Sequence, residues 1–161
     1  MDGALYRAIM RHQAGAVTVI AVGPPGRRSG LTATAVCSLS DDPPTILACI
    51  RRTARTHDVI HRLGVFSVNL LASDQQAIAE LFSGGMGLSG EDRFKEDDWT
   101  TLATGAPILR GALASLDCRL EEQHGFATHS IFIGSVEDGT VRAEAEPLLY
   151  FRGDYWDLGG R

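Results

Sequence analysis

No stretch of this 161-residue chain approaches the ~20 consecutive apolar residues that a membrane-spanning helix needs. The first residues, MDGALYRAIMRHQAGAVTVIAV, place Arg7 and Arg11 where a secretory signal would keep its apolar core, so no such signal is expected. Cysteine is scarce: Cys37, Cys49 and Cys118 are odd in number and include no CxxC pair. That excludes a disulfide framework, a zinc site built on paired thiolates and a thioredoxin-type redox motif. Small reduced thiols are the pattern of a cytoplasmic protein. Lysine is nearly absent, with Lys95 alone among 15 basic residues, and these face 20 acidic ones for a net charge of -5. Such a chain lacks the excess of cations that broad binding to a nucleic-acid backbone requires. What is there is ordinary: 44% hydrophobic and 22% charged residues, the composition of a globular protein. With no repeat, low-complexity segment or linker, one domain over residues 1–161 is expected, large enough to bury roughly two-thirds of its unfolded surface.

Periodicity divides the chain into short elements. Leu5, Ile9 and Met10 recur at helical spacing within residues 2–13. Residues 16–22 (AVTVIAV) are β-branched and read as a strand ending in the Pro- and Gly-rich loop 23–30. Residues 31–37 (LTATAVC) alternate as a second strand, SLSDDPPT breaks the pattern, and residues 45–50 (TILACI) form a third, the spacing of a meander. Residues 54–63 read as a helix closed by Gly64, and 65–71 as a strand. Ser73 or Asp74 is expected to cap the helix QQAIAELF, and residues 83–98 to form a loop or lid. Two longer strands over 110–123 and 130–136, then LLYF and the aromatic GDYWDL tail, complete the chain. About seven strands with a few short helices predict an antiparallel β-barrel decorated by α-helices.

Several motifs are weaker than their letters. Gly85, Gly87 and Gly90 match GxGxxG, but a dinucleotide fingerprint needs a strand before it and a helix after it, and here a helix precedes it. His57 and His61 in HDVIH are spaced like metalloprotease ligands, yet Asp58 replaces the required Glu and no third ligand follows, so helix-surface histidines are expected. No GxSxG elbow exists. Two segments carry more. Thr32-Ala33-Thr34-Ala35, followed by Ser38 and Ser40, combines small side chains with hydroxyls and lets a flat ligand approach the backbone. Arg51-Arg52-Thr53-Ala54-Arg55-Thr56 places guanidinium forks, hydroxyls and free N–H groups at a strand-to-helix junction, a pattern suited to phosphate.

In this order, GLTATAVCSLSDDPP at 30–44, ILACI at 46–50, FSVNLL at 66–71, FSGGMGLSGEDRF at 82–94, GAPILRGALASLDC at 105–118, THSIFIGSV at 128–136 and PLLYF at 147–151 resemble the short-chain flavin reductases of the FMN-binding split-barrel superfamily. The likeness is to the branch of 4-hydroxyphenylacetate 3-monooxygenase reductase components, and it runs over nearly the whole chain. It implies an antiparallel, Greek-key-like split barrel and a homodimer. Each subunit would hold FMN or FAD and take a hydride from NADH or NADPH. The reduced flavin would go to a separate flavin-dependent monooxygenase. By the same resemblance Thr32, Ala33, Thr34, Ala35, Ser38 and Ser40 touch the flavin, and Ala48, Cys49, Thr53, Ala54, Arg55 and Thr56 form the phosphate-binding strand and loop. Phe82 and Arg93 belong to the helix end and lid, His129 is the histidine beside flavin and nicotinamide, and Tyr155 the C-terminal aromatic. No metal is implied. Ala127-Thr128 stand where many relatives have Gly-Asp. The alternatives are a split-barrel oxidoreductase with tightly held flavin acting on another acceptor, and a flavin- or haem-binding carrier or sensor without turnover.

Overall fold

Asp2 starts α1 (Gly3–Met10) by accepting from the N–H groups of Ala4 and Leu5 at 2.9 and 2.8 Å. No residue of α1 is buried, so Leu5, Tyr6, Ile9 and Met10 stay exposed. After β1 (Gly15–Ala16), the β-branched run makes β2 (Thr18–Val22), buried along its whole length. This is a computed structural model that describes residues 1–84 and 87–159. Successive strand side chains point to opposite faces. Val19 and Ala21 therefore join one apolar cluster, while Ile20 and Val22 join another. A strand buried on both faces has no room for the alternation that marks a half-exposed one.

The chain continues through β3 (Ser29–Ala33), β4 (Val36–Asp41), β5 (Pro44–Arg51), α2 (Arg55–Leu63) and β6 (Val65–Leu70). Then follow α3 (Gln76–Ser83), β7 (Trp99–Thr101), β8 (Pro107–Leu109), β9 (Ala114–Phe126), β10 (His129–Val141), β11 (Leu149–Phe151) and β12 (Asp154–Trp156). Seven strands pair antiparallel in the order β3-β2-β6-β9-β10-β5-β4, and β1, β11 and β12 make a smaller sheet. The two edges of the large sheet, β3 and β4, are joined only by Thr34 and Ala35. A link of two residues spans no more than roughly 10 Å. The sheet must therefore curl until its edges nearly meet, giving a barrel open along one seam. Side chains from β2, β5, β6, β9 and β10 fill its interior with Ile20, Ile50, Phe66, Cys118 and Phe132, and Val59 and Ile60 of α2 plug it. Burial pushes the Cys118 thiol up to about 12, with help from the carboxylates of Asp117 and Glu137.

Four expectations change. The single strand over 31–37 is two, because the chain leaves β2 after Ala33 and rejoins the sheet beside β5. The segment read as a break begins instead as β4 through Asp41, with β5 starting at Pro44. The meander is replaced by two hairpins, β2–β3 and β4–β5, at opposite ends of the strand order. Ser73 and Asp74 do not cap α3, since a 3-10 turn (Ser73–Gln75) precedes it. There the Gln75 side chain accepts from the Ala72 N–H at 3.0 Å, and Asp74 pairs with Arg142 at 2.9 Å. Gly64 closes α2 with φ +67°, as expected.

Outside the barrel, Phe82 of α3 meets Phe94 and Trp99 edge-on, with ring centroids 4.9 and 5.6 Å away. A Cβ on Gly30 would stand 2.8 Å from the Phe82 ring, so only glycine allows α3 to lie this close to β3. Asn69 fastens β8 to β6 with all four of its hydrogen-bonding positions, donating to Val19 and Ser67 and accepting from Leu109 and Ser115. Among the described residues, no helix is long and apolar enough to cross a membrane.

Candidate functional site along the barrel seam

An edge strand presents N–H and C=O groups that no neighbouring strand takes. At the seam, Thr32, Ala33 and Thr34 border a cleft of about 500 Å³, closed on its other sides by α3 and the β11–β12 hairpin. Thr32 donates its hydroxyl to the Ala79 carbonyl at 2.6 Å, which anchors α3. Gln76, Glu80 and Ser83 face the cleft because positions four and three apart share one side of a helix. Tyr150 and Tyr155 are opposed in register on β11 and β12, with ring centroids 5.3 Å apart. Burial raises the Tyr155 phenol above its ordinary pKa, and the charge of Glu80 and the neighbouring Tyr150 add to the rise. Ala35 leads out of the cleft, its carbonyl accepting from the Cys49 N–H at 2.9 Å. Ser38 is exposed and Ser40 half-buried on β4, while Ala48 is fully buried beside the half-buried Cys49 on β5.

From Cys49 the path runs to the start of α2. Arg51, Arg52, Thr53, Ala127 and Thr128 frame a second depression of about 370 Å³. Ala54 precedes the helix and has no side-chain oxygen to cap it, so the first N–H groups of α2 keep the partial positive charge of a helix start. Arg55 is exposed, its guanidinium against Gly90, where a Cβ would lie 2.9 Å from Nη1. Thr56 is buried, its hydroxyl 2.9 Å from that of Ser29. His129 opens β10 opposite Arg51, exposed, with Nδ1 2.8 Å from the Thr128 hydroxyl. The Arg52 N–H donates to the Thr128 carbonyl at 3.0 Å.

The predicted lid is pinned to the barrel through residues 91–94. It contains 3-10 turns at Gly90–Arg93 and Glu96–Asp98. Glu91 accepts from the backbone and the guanidinium of Arg28, which also lies over the Phe94 ring at 5.0 Å. Burial pushes the Glu91 carboxyl up, but its hydrogen bonds from Arg28 and Gly26 and the Arg28 charge outweigh it, and the pKa lies below the ordinary value of 4.5. Arg93 braces the same loop by donating to the Leu88 carbonyl at 2.8 Å. Gly85 of the GxGxxG match lies outside the described residues, and Gly90 starts a 3-10 turn rather than an α-helix.

Of the residues singled out in the sequence, Thr32, Ala33, Thr34 and Tyr155 thus share one cleft. Thr53 lies at the other depression, whose rim residue Thr128 is bonded to His129. Ala35 and Cys49 connect the two along the backbone. Phe82 is 2% exposed and packs the lid, and Arg93 braces it. Gln76, Glu80 and Tyr150 were not singled out, although the spacing of the first two was visible. The Arg28–Glu91 pair left no local signal, because its members are 63 positions apart.

The family model described as "Flavin reductase like domain" matches residues 10–159. The chain is 41% identical over 150 residues to "FMN reductase (NADH) RutF" of Agrobacterium fabrum, covering 93% of this chain and 85% of that one. Among solved structures it is similar to BorF, the flavin reductase component of a bacterial two-component tryptophan halogenase. There the TM-score is 0.91 and the identity 34%, over 99% of this chain and 100% of the other. It is also similar to the NADH:FAD oxidoreductase SgcE6 of Streptomyces globisporus in complex with NAD and FAD fragments. That TM-score is 0.87 at 29% identity, over 96% of this chain and 92% of the other.

Proposed function

We propose, from the premise that this chain belongs to the flavin reductase like domain family, that it is an NAD(P)H-dependent flavin reductase supplying reduced flavin to a separate flavin-dependent monooxygenase. The relative named as an NADH-dependent FMN reductase and the reductase component BorF support that reading. The observation that carries it is a continuous backbone path from a cleft of small side chains and tyrosines to a basic, uncapped helix start. A flat ring fits the first, and a phosphate fits the second.

Bound FMN or FAD supplies the two-electron chemistry. The chain's own part is to bind and orient, which is why no nucleophile–base pair is needed. Thr32, Ala33, Thr34 and Ala35 offer backbone groups to the ring edge, with Ser38 and Ser40 beside them. The small side chains of Ala48 and Cys49 keep β5 close. Thr53, Ala54, Arg55 and Thr56 take the phosphate, the last through its backbone, since its hydroxyl is bonded to Ser29. His129 positions the nicotinamide, Tyr155 closes the cleft, and Phe82 and Arg93 hold the lid. The chain acts as a homodimer in the cytoplasm. Supporting this, α1 buries none of its apolar residues, Phe126 at the β9–β10 turn is 82% exposed, and the three cysteines are free.

The test is oxidation of NADH and of NADPH in air, with and without added FMN or FAD. Turnover that saturates in flavin is the expected result. Turnover with flavin that survives desalting would favour a tightly held group serving another acceptor. No turnover with any pair would leave a carrier.

A further inference from the structure

We infer that His57 is a positioning residue that holds the phosphate end and the nicotinamide end of this site at a fixed separation; the inference rests on the function just proposed. His57 lies in the first turn of α2, directly after Thr56, and is 8% exposed. Its Nε2 is 2.9 Å from Ser130 Oγ and 3.3 Å from Gln123 Nε2, and its Nδ1 is 3.0 Å from Asp58 Oδ1. Ser130 follows His129 on β10 and is 1% exposed.

These partners assign the tautomer. The Asp58 carboxylate only accepts, so Nδ1 carries the proton and Nε2 accepts from the Ser130 hydroxyl and the Gln123 amide. Gln123 is itself oriented, because its Oε1 accepts from His61 Nδ1 at 2.8 Å. The ring meets Phe132 edge-on at 5.1 Å. A side chain bonded at both nitrogens and packed against an aromatic ring is fixed in rotation as well as in place. The order Ser130–His57–Asp58 has the letters of a nucleophilic triad, but a hydroxyl buried to that degree reaches no substrate. Its work is to tie α2 to β10. The neighbouring Thr56–Ser29 bond ties the same turn to β3 on the other side of the seam. The start of α2 is thus held from both sides, one residue from His129 and two from Arg55. Small displacements between reacting groups cost large factors in rate. Of the two histidines of HDVIH, expected on the helix surface, His61 is exposed and bonded to Gln123, whereas His57 is buried.

The experiment is steady-state kinetics with NADH and FMN, together with FMN titration and thermal melting, on His57→Leu, Ser130→Ala, their double mutant and His57→Gln. Both single variants are expected to lower kcat and raise the FMN Kd by about fivefold or more, the scale of one lost buried hydrogen bond. The double mutant should add little to either, since both changes sever one link. His57→Gln, whose amide oxygen accepts from Ser130, should recover most of the loss. Lower melting temperatures with kcat and Kd unchanged well below the melt would overturn the inference and leave a structural role. If His57→Leu does not fold, Ser130→Ala and His57→Gln decide alone. Arg55→Ala and His129→Ala run alongside: if neither alters FMN or NADH parameters, the site reading itself fails, and the inference falls with it.

Discussion

At one end of the seam the cleft is lined by threonine, tyrosine and the carboxylates of Glu80 and Asp154, and at the other the depression is lined by Arg51, Arg52 and Thr53. Among the described residues, no arginine borders the first and no carboxylate borders the second. A net charge of -5 hides this sorting completely. A ligand with one anionic end and one flat, uncharged end meets a potential that accepts it in a single direction before any close contact forms. Charge placement along a groove therefore does work that total charge does not register.

The largest effect is expected where the lid joins the two ends. Glu91→Ala leaves Arg28 buried to 8% exposure without its partner, and should cost about 3 kcal/mol in denaturant unfolding. The FMN affinity should fall with it, because the Gly90 turn that Glu91 anchors rests against Arg55. The same pair has a pH signature. The Glu91 pKa is lowered in the folded chain, so its contribution is complete above the ordinary value of 4.5 and is lost as the pH falls through the lower folded value. An acid melt of the wild type should show a loss of stability there that Glu91→Gln lacks.

Arg55→Ala should weaken FMN binding by about 1–3 kcal/mol, the range of a charged hydrogen bond to phosphate. An unchanged Kd by fluorescence titration would abolish the distinction between the two ends. Next in size, His129→Ala should raise the KM for NADH about fivefold while leaving the FMN Kd nearly intact, as expected for a lost positioning bond. A selective loss of flavin affinity would move His129 to the phosphate side. The smallest effect concerns the acidic end alone. Glu80→Gln should bring the Tyr155 phenol back toward its ordinary pKa without reaching it, because burial, the larger cause, remains. Difference spectra through an alkaline titration would show it.

Much of this was legible in the residues. The helix end marked by Gly64 and the β-branched run of β2 are local signals, and the structure carries them where local reasoning put them. What was missed is non-local. The run LTATAVC looks like one strand because alternation does not record which neighbour a strand pairs with, and that neighbour changes between Ala33 and Val36. Ser73 and Asp74 have the chemistry of caps, but an added turn moved the start of α3 past them. The cleft suffered similarly: Thr32 and Tyr155 come from opposite ends of the chain, and only the family resemblance linked them. His57 and Ser130 show the limit most clearly, since neither has any partner within reach in sequence beyond Asp58.

The strand order also sets a timetable for synthesis. The β2–β3 and β4–β5 hairpins emerge first, yet each is only a two-stranded ribbon, marginal in water on its own. They flank a centre made of β6, β9 and β10, and β5 finds its second neighbour only in β10. The barrel wall is therefore unfinished until residue 141 has left the ribosome. Until then the newborn chain carries apolar strand faces with nothing to cover them. Folding should be slow for its length and should depend strongly on the speed at which the β9–β10 hairpin closes.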